Sequence, residues 1–341
     1  MEYLKRWLKF NYSSRMYVKS QKRAPKKSLR NIIKILLWGL VSLFVLANII
    51  AYNQAYQLTH FTTQKVTKTA KPEQLSLAEK IKTLFTGVSN PRPANQRQPD
   101  LPYTTVKLQS NKKLECWFIK HPEAKGTVIM FHGYSASKSG LINKANIFYQ
   151  LGYNTMLVDF MGSGGSEGNE TTIGFAEAEE VKTVYQYVNQ TEKKQIILFG
   201  TSMGAVATMK ALNAFKINPA AIIIECPYSS LLKTTQARFK ILHIPTFPLA
   251  NILVFWGGFQ HHFNGFKLRP VDDAKGIKCP TLLLYGEKDN RVSRSEINEI
   301  FNNLKGSKSL RTYPLAGHDN YLTQYKSEWT QDISLFLKAV N

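Results

Sequence analysis

Cysteine and acidic side chains are scarce in this 341-residue chain. Its three cysteines, Cys116, Cys226 and Cys279, have neither metal-site spacing nor the number needed for a disulfide framework. All three fall in or beside strand-like runs, where a free thiol packs as a small apolar group. Asp and Glu total 23 against 45 Lys and Arg, a formal charge of +22. Such an excess points to an anionic partner, nucleic acid or a membrane surface. No recognition motif accompanies it, which excludes a nucleic-acid binder. No internal repeat is present. With 43% hydrophobic and 20% charged residues, the chain is neither disordered nor collagen-like. Its length allows one large domain with additions or two modest ones, and a core that needs no metal or disulfide staples.

The charge is unevenly placed. Residues 1–30 hold ten Lys and Arg and one acid, Glu2. Within this basic tail, residues 1–12 interleave Leu4, Trp7, Leu8 and Phe10 with Lys5, Arg6 and Lys9, a pattern that fits either an anionic leaflet or a solvated tail. From Ile35 to Gln64 there is no Lys, Arg, Asp or Glu. The apolar stretch 31–52 matches the roughly 20 residues that cross a bilayer core as one helix. It exceeds the apolar run of about 7–15 residues of a cleaved signal peptide. The positive-inside bias then predicts a single-pass protein of the cell membrane, N-terminus cytoplasmic, with its main domain on the non-cytoplasmic side.

Residues 53–102 read as a juxtamembrane segment. Ser76 and Glu79 form a capping box at the front of an amphipathic helix over 72–86, striped by Leu77, Ile81, Leu84 and Phe85. Pro91, Pro93, Pro99 and Pro102 then mark a linker. From residue 103 to 341, strand-like and helix-like runs alternate. YTTVKLQ and LECWFIK form a hairpin. TVIMFHG, NTMLVDF, QIILFG, AAIIIEC and TLLLYG are continuous apolar runs, with helices expected near 138–150 and 172–190. Apolar strands separated by helices predict an α/β architecture, a mostly parallel sheet with helices on both faces. Ligands gather at the C-terminal ends of such strands, so the residues just past each strand carry the chemistry.

Past QIILFG comes Gly200-Thr201-Ser202-Met203-Gly204, a G-x-S-x-G turn into a helix. A sharp strand-to-helix turn needs small flanking residues and lifts the serine hydroxyl above the sheet. A nucleophilic serine also needs a base, and the base an orienting carboxylate. Asp289 lies just past TLLLYG, and His318 follows the strand-like SLRTYPL, both on the same rim as Ser202. Glu287 and Asp319 are the alternative acids. His132-Gly133-Tyr134 ends another strand, where glycine lets the chain pass close. The Tyr134 and Met203 amides are the candidate oxyanion donors. His132 reads as support for that loop, and Glu225-Cys226 as strand-end structure. His261-His262 suits no metal, because adjacent residues do not share a helix face and no third ligand is apparent; no metal or organic cofactor is expected.

With HGYSAS, DFMGSGGSEGN, YGEKDNRV and AGHDN in the same order, residues 100–341 resemble the α/β-hydrolase family, in its serine aminopeptidase-like and lysophospholipase-like branch. DFMGSGGSEG is similar to the family's D-x-x-G-x-G-x-S segment, with Phe160-Met161 where a basic residue is often found. The resemblance implies a catalytic Ser202, Asp289 and His318, and a small cap over the site formed by the apolar, aromatic insertion at 228–268. Anchor and cap together favour a lipid-like acyl ester, a lysophospholipid or monoacylglycerol, as substrate. The alternatives are an aminopeptidase-like serine peptidase, a protein deacylase of the same fold, and a non-catalytic membrane scaffold.

Overall fold

The computed structural model describes residues 29–64, 66–70, 75–318 and 320–340. The basic tail up to residue 28, the start of the 72–86 helix and Asp319 lie outside the described residues. Two compact units divide at Leu46 and Ala47. In the first, residues 29–46 are helical and expose apolar side chains all round, Ile35, Trp38, Leu40 and Phe44 among them. Helix α1 runs unbroken over Leu29–Thr59, seven residues beyond the expected apolar stretch, and is long and apolar enough to cross a membrane.

The second unit contains an eight-stranded sheet. Its strands are β1 (Thr104–Gln109), β2 (Lys113–Ile119), β3 (Gly126–Phe131), β4 (Asn154–Asp159), β5 (Gln195–Thr201), β6 (Ala221–Glu225), β7 (Thr281–Gly286) and β8 (Lys308–Tyr313). The spatial order is β1-β2-β4-β3-β5-β6-β7-β8. β1 and β2 pair antiparallel, as does β2 with β4, and every other pair is parallel. Strands β3, β4, β6 and β7 are buried along their whole length, which is why they read as unbroken apolar runs.

One core lies on each face of the sheet. The first joins Ile129, Val158 and Leu198 to α4 (Glu177–Thr191), α5 (Met203–Phe215) and α8 (Arg294–Asn303), through residues such as Val184, Val206 and Ile300. The second joins Val128, Phe199 and Leu284 to α3 (Ile142–Gln150) and α9 (Lys326–Val340), through Phe148, Trp329 and Ile333. Chain direction across the sheet reverses at β3, between β4 and β5, the kind of switch point where open α/β sheets bind ligands.

Two expected helices start late. The run expected from 172 begins at Glu177, because residues 171–176 turn back on themselves. The Glu177 carboxylate accepts from the Thr172 and Gly174 amides and from the Thr171 and Thr172 hydroxyls. Near residue 138 a short 3-10 turn, Lys138–Leu141, precedes α3. Helix α2 (Leu77–Thr86) carries the expected Ser76–Glu79 capping box.

The proline-rich segment docks against the sheet rim. Thr62 bridges Pro91, and the Arg92 guanidinium donates to the carbonyls of Ser163, Gly164, Ser166 and Gly168. Asn95 donates to Asp159, which also accepts from the Lys138 and Gly165 amides and pairs with the Lys138 ammonium. The DFMGSGGSEG loop is thereby tied to residues well before the sheet.

Candidate active site

Strand β5 ends and α5 begins at Ser202, whose backbone is held at φ 52° and ψ −111°. A non-glycine residue rarely adopts positive φ, and such strain persists only where the surroundings enforce it. Here the enforcement is contact. A Cβ on Gly200 would meet the Gly204 carbonyl oxygen at 2.5 Å, and one on Gly204 would meet the Phe131 carbonyl oxygen at 2.4 Å. Both positions therefore require glycine. The Ser202 amide donates to the Glu225 carbonyl at 2.8 Å, which fastens the turn to β6.

Three strand ends bring the reactive groups together. His318 Nε2 lies 2.9 Å from Ser202 Oγ, and His318 Nδ1 lies 2.7 Å from Asp289 Oδ2. The other Asp289 oxygen accepts from the Arg291 and Val292 amides at 2.8 and 2.9 Å. Both carboxylate oxygens are thus engaged, and the aspartate cannot rotate without losing bonds. Burial favours the neutral His318 ring, while the Cys226 sulfur and the Asp289 carboxylate favour the imidazolium. The net effect raises the His318 pKa above its ordinary value.

The alternative acid Glu287 is exposed and lies 3.4 Å from Arg294. Gly133 sits against Ser202, its Cβ position 3.5 Å from Ser202 Cβ and 3.4 Å from the Thr201 carbonyl oxygen. The next amide is that of Tyr134. Neither it nor the Met203 amide donates to any group among the described residues. The Tyr134 side chain points elsewhere: its hydroxyl donates to the Leu58 carbonyl at 2.6 Å and accepts from Asn90 at 2.9 Å. The end of α1 and the proline-rich segment thus hold the candidate oxyanion loop. Buried His132 accepts from the Phe160 amide at Nε2 and so carries its proton on Nδ1, facing the Gly133 carbonyl. Burial keeps that ring neutral.

Glu225 and Cys226, read from the sequence as strand-end structure, both neighbour the site. Cys226 Sγ lies 4.0 Å from His318 Nε2, at a residue with φ 40°. Together with Asp289 and His318 it brings three potential ligand atoms within 4.8 Å, but the carboxylate and imidazole atoms are committed to each other and to Ser202. Glu225 is fully buried. It pairs with Lys144 and accepts from Thr201 Oγ1 at 2.9 Å and Trp329 Nε1 at 2.8 Å. The rule that chemistry collects just past strand ends reaches Cys226; Lys144, on a helix of the opposite layer, had no signal. His261 stacks on His60 with ring centroids 5.1 Å apart, and His262 follows it. Cys116 and Cys226 are buried and Cys279 is half-buried, all as free thiols.

The 228–268 insertion forms α6 (Leu231–Ile241) and α7 (Leu249–Gln260). Helix α7 packs on the last turns of α1: Trp256 Nε1 donates to Asn48 at 3.0 Å, Gln260 donates to the Tyr52 carbonyl at 2.8 Å, and Tyr52 meets Trp256 edge-on. An apolar pocket opens between these elements, lined by Ala55, Leu58, Ile173, Leu231, Val254 and Phe263.

Residues 122–250 match the family of serine aminopeptidases, S33. An uncharacterized protein of Bacillus subtilis, YqkD, is 23% identical over 223 residues, covering 64% of this chain and 73% of that protein. The lysophosphatidylserine lipase ABHD12 of Danio rerio is 24% identical over 207 residues, 57% of this chain, so the match spans only 51% of the lipase. An uncharacterized membrane protein of Saccharomyces cerevisiae is 24% identical over 66% of this chain and 76% of its own length. Among solved structures, a Pyrococcus furiosus esterase superposes with a TM-score of 0.61 at 24% identity, covering 73% of this chain and 96% of the esterase. The chain has the α/β-hydrolase fold, with one N-terminal helix apolar and long enough to serve as an anchor.

Proposed function

We propose that this chain is a membrane-anchored serine hydrolase that cleaves carboxylic esters of acyl lipids through an acyl-enzyme. The reading is carried by one observation, the continuous relay from Ser202 Oγ through His318 to Asp289 at 2.9 and 2.7 Å. His318 takes the Ser202 proton as the oxygen attacks the ester carbonyl. Asp289 holds the ring with Nδ1 protonated and stabilises the imidazolium. The Met203 and Tyr134 amides receive the oxyanion, and the helix dipole of α5 adds to them. His318 then returns the proton to the leaving alcohol. Water, deprotonated by the same ring, releases the acid.

Relatives named as esterases and lysophosphatidylserine lipases support ester cleavage. The apolar pocket against α1 and α7 supports an acyl chain on the carboxyl side of the bond. The Lys and Arg bias supports a cytoplasmic N-terminus with the catalytic unit on the other side.

The test is hydrolysis of 1-oleoylglycerol and oleoyl lysophospholipid by the full-length protein in neutral detergent, beside Ser202→Ala. Fatty acid release by the wild type, reduced at least 10³-fold in the variant, is expected. Release of equal size in both would reject the acyl-enzyme route.

A further inference from the structure

Helix α7 is apolar on both faces. Ala250, Val254 and Gly258 recur every four residues and are buried, the inward stripe of an ordinary surface helix. The outward face of such a helix is polar, but here it carries Phe255 and Phe259, 50% and 61% exposed. Half-buried Trp256 meets both rings, at centroid distances of 5.2 and 5.4 Å. Phe247, in the turn that enters α7, is 77% exposed. From Ile241 to Phe266 there is no Lys, Arg, Asp or Glu, and exposed Lys240 and Lys267 bound the run. A contiguous aromatic surface of this kind is rarely left to water.

This surface adjoins the end of the apolar stretch of α1. Residues 47–52 close that stretch and belong to the second unit. Helix α7 packs on them through the Trp256–Asn48 bond at 3.0 Å, the Gln260–Tyr52 bond at 2.8 Å and the Tyr52–Trp256 ring contact at 5.2 Å. Lys34 is the last charge before the uncharged run. Counted from there, a helix needs about 20 residues at roughly 1.5 Å each to fill a hydrocarbon core of about 30 Å, which reaches about residue 54. Asn48 and Tyr52 fall short of that boundary, so a helix packed on them shares their depth. The chemistry of the contact agrees. Asn48 is a polar side chain within the apolar stretch, costly in lipid unless bonded, and Trp256 supplies a bond. Trp256, Tyr52 and Tyr56 are of the residue types that collect where hydrocarbon meets headgroups. Tyr52 is itself exposed and meets Trp256, so the exposed apolar surface runs on from α1 to α7. Lys240 and Lys267 carry the charge that suits headgroup phosphates.

We propose that α7 is a second membrane element, with the face of Phe255 and Phe259 sunk into the lipid leaflet on the side of the main domain. The cap is then held in the bilayer and not only tethered to it through α1. The proposal rests on the membrane-anchor reading of α1 and is independent of the reaction catalysed at Ser202.

The experiment reads depth in the full-length protein reconstituted into phosphatidylcholine vesicles. Half-buried Cys279 is replaced by serine, and the buried Cys116 and Cys226 stay unlabelled. A nitrobenzoxadiazole probe is attached to Leu43→Cys, Phe255→Cys and Phe259→Cys in turn, with Lys107→Cys and Lys305→Cys as references at exposed charged positions. Melting in detergent shows that each variant is folded. Doxyl-labelled phosphatidylcholine should quench the emission by roughly half or more at positions 43, 255 and 259, as burial of an interfacial helix face below the headgroups produces. The probes at 107 and 305 should keep their intensity. Quenching at 43 with 255 and 259 behaving like 107 overturns the inserted cap and leaves the anchor standing. Blue-shifted emission at 259 without quenching also overturns it, since a second copy of the chain and not lipid would then cover the face. No quenching at 43 overturns the anchor reading itself.

Discussion

The Ser202 amide donates to the Glu225 carbonyl, and the carboxylate of that same Glu225 is buried against Lys144. Thr201 and Trp329 complete the set around the carboxylate. The turn that carries Ser202 is therefore pinned from below by an ion pair that has no access to water. Removing one partner of a buried pair leaves an uncompensated charge, which costs about 3–5 kcal/mol. Lys144→Met should lower the thermal midpoint in detergent sharply, and Lys144→Met with Glu225→Gln together should restore part of the loss. A Lys144→Met protein as stable as wild type would show that the pair holds nothing.

Gly204→Ala places a methyl group against the Phe131 carbonyl, where 2.4 Å separates the two positions. Neither β3 nor α5 can retreat without breaking the sheet or the turn. We expect loss of Ser202 labelling together with destabilisation of about 1–3 kcal/mol, the usual cost of overpacking. Labelling and melting together read both effects.

The pH dependence follows from the raised His318 pKa. A base must be neutral to accept the Ser202 proton, so kcat/KM should rise with pH through an apparent pKa above the ordinary 6.5 of histidine. Stability runs the other way. A group whose folded pKa is raised stabilises the fold fully below its unfolded pKa, and that contribution is lost as pH rises through the folded value. Asp289→Asn removes a charge that raises the pKa. Its acid limb should therefore move toward lower pH while the rate falls about 10⁴-fold. A limb that stays in place in Asp289→Asn would mean that another group titrates.

Tyr134→Phe separates two roles of one residue. The variant keeps the backbone amide but leaves the Leu58 carbonyl without its hydroxyl donor. Stability should drop by about 1–3 kcal/mol, while kcat falls less than tenfold. A loss of 10²–10³-fold, the size seen when an oxyanion donor is removed, would show that the amide depends on the side-chain anchor.

How much of this was legible in the sequence depended on whether the cause was local. Glycines at 200 and 204 are dictated by contacts within one turn, and the apolar strands advertise their burial directly. Ser202, Asp289 and His318 could be assembled because each follows its own strand in a parallel sheet, and parallel strands end on one rim. The proline-rich segment read as a linker, since nothing in its composition reveals that Arg92 meets four carbonyls of a loop more than 70 residues away. Lys144 was invisible for the same reason: a lysine on an amphipathic helix looks solvated until its partner Glu225, 81 positions on, is placed beneath it. The Cys226 thiol beside His318 depends on β6 and β8 being separated only by β7, which is a matter of strand order and not of spacing.

The proposed ester cleavage requires Ser202 to be an activated nucleophile. The direct test is labelling of the full-length protein in its membrane fraction with a fluorophosphonate probe, followed by identification of the modified peptide. Modification at Ser202 that disappears in Ser202→Ala and weakens strongly in His318→Ala is the predicted result. A folded wild-type protein that takes up no probe at Ser202 would contradict it.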